Sequence, residues 1–235
     1  MNKKIIKNIW AKAPTKFMQV EHSSQKNVLH PLISNIINNE KPSQFLDYGC
    51  GDGRILELLN SDIKIDVFDI NNGMLDLAEK RLGSRVNNYY NKIDKIESKY
   101  YDFILLGMVI ICLKNDKEFD DLLCNIKRFK TKNGKLLISA PHPCFRDKKF
   151  SNFQTSLGST QEFYYLKNGM PFDVLIEDQK PPSVAFTDYH WSLSATINKL
   201  IEHNFTIKNI IEVKDDKNHP NCNNFYSPFV IITAI

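Results

Sequence analysis

The chain has 235 residues, 42% of them hydrophobic and 25% charged, a balance that suits a folded domain with a sizeable core and excludes wholesale disorder. Its 31 lysines and arginines against 27 acids leave a net charge of +4 spread along the chain. With no basic block or basic helix face, the clustered footprint of a nucleic-acid binder is missing.

From the N-terminus, Ile5 to Asn38 reads as helix, a helical cap over residues 1–40 that contains Trp10-Ala11-Lys12-Ala13 and Phe17. From Phe45 to about Ala140, apolar and polar segments then alternate as strand and helix, which predicts a parallel sheet with helices on both faces. The first strand, Gln44 to Asp47, runs into Tyr48-Gly49-Cys50-Gly51-Asp52-Gly53, and a helix is expected over Arg54 to Leu59. A second strand, Ile63 to Phe68, ends on Asp69. Gly73 to Leu82 carries Met74, Leu75, Leu77, Ala78 and Leu82 at helical spacing, and a weak third strand lies near Val86 to Tyr90. Asp102 to Val109 reads as the fourth strand and Asp120 to Phe129 as a helix. Asn133-Gly134 turns the chain into a fifth strand, Lys135 to Ala140.

Beyond Pro141 the rhythm breaks. Residues 146–190 form an insertion rich in Phe, Tyr, Pro and Gly, in which Lys167-Asn168-Gly169 reads as a hairpin turn between Glu162–Leu166 and Pro171–Ile176. Regularity returns with an amphipathic helix over Ser192 to Asn204, N-capped by Ser192, and with strands Phe205–Val213 and Pro228–Ile235. Two strands in succession without a helix between them make the last one antiparallel to its neighbour.

The glycine turn is the most informative stretch. Gly49, Gly51 and Gly53 alternate, which removes Cβ atoms from a loop that a ligand could approach and permits positive φ where the chain reverses. A G-x-G-x-x-G dinucleotide loop starting at Gly49 would need glycine where Arg54 stands, which argues against NAD. Asp47-Tyr48-Gly49-Cys50-Gly51-Asp52-Gly53 instead resembles the D-x-G-x-G-x-G signature of class I S-adenosylmethionine-dependent methyltransferases, and Phe68-Asp69-Ile70 resembles their ribose-binding segment.

That resemblance, to the small-molecule type, covers Phe45 to Ile235 apart from the insertion. It implies a Rossmann-like seven-stranded sheet, mostly parallel with an antiparallel last strand, with residues 41–145 as the cofactor-binding half and 191–235 as the closing helix and strands. The implied cofactor is S-adenosylmethionine, with S-adenosylhomocysteine as product. Asp47, Gly49, Cys50 and Gly51 would hold the methionine end, and Asp69, with Ile70 beside it, would accept from both ribose hydroxyls. Met74 would pack on adenine or serve as plain core, Asn91 would meet the adenine amino group, and Gly107 and Met108 would close the crevice at the end of the fourth strand. The Trp10 to Phe17 segment resembles the W-x-x-A-x-x-Y stretch whose helix caps the cofactor; Phe17 keeps the apolar cover without the hydroxyl, and ordinary packing is the alternative.

Ala140-Pro141-His142-Pro143-Cys144-Phe145 resembles an s-x-P-H-P-x-F turn of such enzymes, and Tyr189-His190 stands where relatives carry an aromatic-basic pair. A hydroxyl or protonated amine must lose a proton to be methylated, so His142 and His190 are the candidate catalytic residues, with Asp188 able to orient His190. For each histidine the alternative is a capping or hydrogen-bonding role. Trp10, Phe17, Phe145 and Tyr189 are the candidate substrate aromatics. The insertion reads either as a lid or as a structural hairpin or dimer surface.

No metal is expected, since Asp120-Asp121 reads as the start of a helix. Gly107-Met108-Val109-Ile110 lacks the [DN]-P-P-[YFW] tetrad of base methylation, and Pro181-Pro182 lies before Ser183 in the insertion, which disfavours nucleic acid as acceptor. The expected activity is methyl transfer to O or N of a small molecule. A cofactor-binding sensor or partner subunit and an NAD-linked oxidoreductase are the alternatives. The 5 cysteines lack a C-x-x-C pair, the longest apolar run, Phe103 to Leu113, is too short for a bilayer, and the start lacks a secretion core, so a cytoplasmic monomer or homodimer without a membrane partner is expected.

Overall fold

A computed structural model describes residues 22–96, 101–156, 164–176 and 184–235. Trp10, Phe17 and Pro181-Pro182 lie outside the described residues.

A π-helical turn, Gln25–Leu29, runs into α1 (His30–Glu40), followed by β1 (Gln44–Tyr48), β2 (Lys64–Phe68), α2 (Asn72–Leu82), β3 (Val86–Tyr90), β4 (Tyr101–Gly107), α3 (Asp116–Phe129) and β5 (Lys130–Pro141). The insertion supplies β6 (Lys149–Phe150), β7 (Phe153–Ser156), β8 (Met170–Ile176) and β9 (Val184–His190), and the chain closes with α4 (Leu193–Glu202), β10 (Ile207–Val213) and β11 (Phe229–Ala234). The main sheet has the order β10-β11-β5-β4-β1-β2-β3, and only β11 runs against the other six. Strand order reverses between β1 and β4, and in open α/β sheets that is where a crevice opens at the carboxyl ends.

Alternation along the strands divides the core into two layers. Phe45, Phe103, Leu105, Leu137 and Ile231 pack with Ile33 and Ile37 of α1 and with Leu75 and Ala78 of α2. Leu46, Ile104, Leu106, Ile138 and Ile232 face Phe119, Leu123 and Ile126 of α3 and Leu200 of α4. Both faces of the central strands are covered, which is why β4 and the end of β5 read as continuous apolar runs.

The insertion is a second, four-stranded antiparallel sheet, β6-β7-β8-β9. Phe150, Phe153, Phe172, Val174 and Phe186 join the first of the two core layers, and Phe153 stacks on Phe229 of β11 with ring centroids 5.6 Å apart. The expected hairpin is not formed as drawn. Tyr164–Leu166 are not strand, and β8 pairs with β7 and β9 instead. Gly169, at φ +73°, donates its N–H to His190 O, which closes the β8–β9 end.

Other boundaries move for local reasons. Arg54–Leu58 is a 3-10 turn, held by i→i−3 bonds from Leu56 N to Gly53 O and from Leu59 N to Leu56 O, because too few residues separate Gly53 from the next turn for an α-helical ladder. α3 starts at Asp116 because Asn115 caps it: Asn115 Oδ1 accepts from Glu118 N while Glu118 Oε2 accepts from Lys114 N. Asn133-Gly134 falls in a bulge of β5 between the pairs Tyr101↔Lys130 and Phe103↔Lys135, and Lys130 Nζ gathers the carbonyls of Thr131, Lys132 and Gly134. No helix of the described residues is long and apolar enough to cross a membrane.

Candidate active site

The loop after β1 folds back over β2, because Gly49 N and Cys50 N both donate to Phe68 O, at 2.7 and 3.1 Å. Its glycines do different work. Gly49 (φ +85°) and Gly53 (φ +75°) are needed by packing: a Cβ would meet Val109 Cγ2 at 2.5 Å and Leu82 Cδ1 at 2.7 Å respectively. Only Gly51 (φ +56°) faces room, with the Met74 methyl as its nearest contact at 3.7 Å. The space for a ligand against the backbone is therefore concentrated at Gly51, rather than shared by all three glycines.

Two carboxylates flank that space. Asp69 follows β2, its N–H held by Tyr90 O, and its side chain accepts from Gly51 N at 2.9 Å and Asn71 N at 2.8 Å. Burial raises its pKa, against the pull of those two backbone donors. Asn71 in turn caps α2, with Oδ1 accepting from Gly73 N and Met74 N. Asp47, at the end of β1, is 2% exposed and has no hydrogen-bond or ion-pair partner among the described residues. Burial, then the charge of Asp69, pushes its pKa up to about 8. Buried Cys50 lies near both acids, and burial raises its thiol well above the ordinary range.

The crevice rim is formed by neighbouring strand ends. Ile70 is 85% exposed beside Asp69, a large apolar side chain left in solvent. Asn91, just past β3, donates to Asn72 Oδ1. Gly107 ends β4, and Met108 adopts φ +61°, a left-handed conformation uncommon for a residue with a side chain, its N–H bonded to Ser139 O. Such outliers persist where the surroundings over-determine them, often at ligand sites. An ion-pair network that the sequence reading missed anchors the loop from behind: Asp52 Oδ2 meets Arg54 Nε at 2.7 Å and Arg81 Nη2 at 3.2 Å.

The residues expected around the acceptor are more scattered. His142 is buried, its Nε2 2.9 Å from Glu212 Oε1 on β10 and its Nδ1 accepting from Cys144 N. Burial lowers its pKa, with Glu212 pulling the other way. Phe145 sits between the His142 and Tyr226 rings, at centroid distances of 4.6 and 5.1 Å. His190 is fully buried, its Nε2 2.7 Å from Tyr165 O, and burial lowers its pKa to about 4. On β9, Asp188 and His190 share the inner, buried face, whereas half-buried Tyr189 points to the other face with Lys114 Nζ 5.9 Å from its ring centroid. Between these residues lies buried Arg146, which no motif marked.

Comparison with known proteins agrees with this architecture. Residues 21–169 match the methyltransferase-domain family. A Haemophilus influenzae protein described only as uncharacterized is 27% identical over 195 residues, spanning 77% of this chain and 74% of its own. Among solved structures, the CcbJ methyltransferase from Streptomyces caelestis superposes with a TM-score of 0.63 at 14% identity, covering 92% of this chain and 90% of its own. An S-adenosylmethionine-dependent methyltransferase from Clostridium acetobutylicum gives 0.59 at 13% identity, covering 94% of each. The match across most of the chain, on a sheet of this strand order, places the protein in the methyltransferase-domain family, with the fold of the class I S-adenosylmethionine-dependent enzymes.

Proposed function

We propose that the protein transfers the methyl group of S-adenosylmethionine to an oxygen or nitrogen of a small-molecule acceptor. The observation that carries this reading is the pairing, around Gly51, the open glycine of the loop after β1, of a buried acid without a partner among the described residues, Asp47, with a second acid, Asp69, already turned toward the loop. A ligand with a cation at one end and a diol at the other satisfies both, and S-adenosylmethionine is such a ligand. Asp47 and the Gly49–Gly51 backbone take the methionine end, Asp69 the ribose, and exposed Ile70 with buried Met74 the adenine, with Asn91 and Met108 at the rim.

When bound, the cofactor supplies an electrophilic methyl on a sulfonium whose departure needs no proton. The protein's task is then mainly to align the acceptor and exclude water, an effect worth roughly 7–11 kcal/mol at best. His190 is the proposed proton acceptor of the two histidines: donation from Nε2 to Tyr165 O makes Nδ1 the basic nitrogen, and the pKa of about 4 that burial imposes keeps the ring neutral but makes it a weak base, suited to an acceptor whose proton is already acidic. His142, bound at both nitrogens, is proposed to hold the turn after β5.

Calorimetry with S-adenosylhomocysteine and transfer of label from methyl-tritiated S-adenosylmethionine into metabolite extracts test the reading. Binding together with labelled small products is expected. Binding without transfer into any extract would make the protein a sensor or partner subunit, and absence of binding would end the proposal.

Cofactor binding is also expected to release a proton. Free Asp47 keeps its proton up to about pH 8. An ammonium beside it favours the carboxylate, so the bound-state pKa is lower and affinity rises with pH between the two values. From pH 6 to 7, below the range where an α-amino group itself titrates, S-adenosylhomocysteine should bind about five- to tenfold more tightly. Asp47→Asn should flatten that slope; an unchanged slope would show that Asp47 does not face the ammonium.

A further inference from the structure

We propose that Arg146 and Asp188 form the polar end of the acceptor site and select a small molecule bearing a carboxylate with a hydroxyl or amine beside it. The proposal rests on the methyltransferase reading above. Arg146 is 4% exposed, and neither its Nε nor its Nη1 has a hydrogen-bond partner among the described residues. Asp188 is 1% exposed, and its Oδ1 likewise has none among those residues. Buried polar atoms are nearly always paired, and leaving one unmade costs about 1–3 kcal/mol, more for a charge, so two charged side chains left open at one place indicate a missing partner.

The geometry sets them side by side. The Arg146 guanidinium lies 4.1 Å from the centroid of the Phe172 ring, and Phe172 is the direct cross-strand partner of Asp188, so the acid and the ring project from one face of the β8–β9 pair. Each charge acts on the other, although no hydrogen bond or ion pair joins them. Arg146 also lines a small, water-sized cavity with Ile110, Ile111, Pro143, Trp191 and Leu193, so the surroundings of the guanidinium are otherwise apolar.

The pair borders the cofactor crevice. The turn Ile110–Cys112, which follows Met108 at the crevice rim, packs against β9, the strand that carries Asp188. A carboxylate matches the guanidinium, which donates in a fixed fork, and a neighbouring O–H or N–H supplies the donor that Asp188 Oδ1 lacks. A simple monoanion would leave Asp188 unsatisfied, and an amine alone would leave Arg146 so.

Three probes that differ in one group each test this on the wild-type protein saturated with S-adenosylhomocysteine. Mandelate carries both groups, phenylacetate lacks the hydroxyl, and mandelamide lacks the charge. Calorimetry should find mandelate binding at least about tenfold more tightly than mandelamide and several-fold more tightly than phenylacetate. Arg146→Gln should erase the first difference, and Asp188→Asn should shrink the second. Equal binding of mandelate and mandelamide, no binding of mandelate, or an advantage that survives Arg146→Gln would overturn the proposal. Cofactor affinity, read in the same instrument without the probes, reports separately on the methyltransferase reading, and the wild-type comparison stands even if a variant fails to fold.

Discussion

Asp69→Ala is expected to weaken S-adenosylhomocysteine binding by at least about a hundredfold while leaving the circular dichroism spectrum unchanged. A carboxylate that accepts from two hydroxyls makes two charge-assisted bonds, each worth about 1.5–3 kcal/mol, and a loss of about 3 kcal/mol is already two decades in Kd. The side chain has a second duty. It holds Gly51 N and Asn71 N at 2.9 and 2.8 Å, tying the glycine loop to the start of α2. Alanine would therefore release the loop as well as remove the acceptor, and the two effects separate by measurement. Loosening of the loop should lower the melting temperature of the free protein by a few degrees, whereas loss of the ribose contact should appear only in affinity. Asp69→Asn, which keeps one acceptor oxygen, should fall between wild type and alanine. Affinity within threefold of wild type in Asp69→Ala would mean that the crevice holds its ligand in another way.

That acid was legible because its position is dictated locally: a short half-apolar strand ends at Phe68, and the next residue stands at the carboxyl edge whatever the rest of the chain does. The glycine turn was legible for the same reason, since positive φ at Gly49, Gly51 and Gly53 restricts the residue type directly. Which glycine has open space beside it was not, because that depends on Val109 and Leu82 arriving from elsewhere in the chain. The seven strands of the main sheet appear where alternation and strand length placed them, with ends shifted by caps and bulges. The insertion was harder. Its aromatic residues have no helical period, so nothing local says that β8 pairs with β7 and β9, nor that Tyr189 points away from the face shared by Asp188 and His190. Arg146 is a single basic residue in an aromatic stretch, and its burial depends on Phe172, 26 positions later.

The same limit hid Asp215, where the largest loss of stability is expected. Its carboxylate, 5% exposed, accepts from Ser24 Oγ, Ser151 N, Ser151 Oγ, Asp216 N and Asn223 N. Those donors come from the turn before α1, the β6–β7 turn of the insertion and the loop between β10 and β11, so one side chain joins three segments that are far apart in sequence. It also holds Ser151 at φ +37°, a conformation that an L-residue keeps only when its surroundings enforce it. Asp215→Ala would leave four buried donors and one part-buried donor, Asn223 N, without their acceptor. Allowing for partial rehydration, the cost should be about 3–5 kcal/mol, or a fall in melting temperature of roughly 10 °C for a chain of this size. Asp215→Asn should recover part of it. The loss should also be directional: amide exchange at Ser151, Asp216 and Asn223 should accelerate more than exchange in β1 and β4, because the tie is local while the central strands keep their own ladders. A melting temperature within 2 °C of wild type, or exchange that accelerates evenly throughout the molecule, would contradict this. The insertion sheet carries Asp188 and packs against Arg146 through Phe172, so a variant that folds but loosens here should hold the cofactor normally and bind the carboxylate probe more weakly.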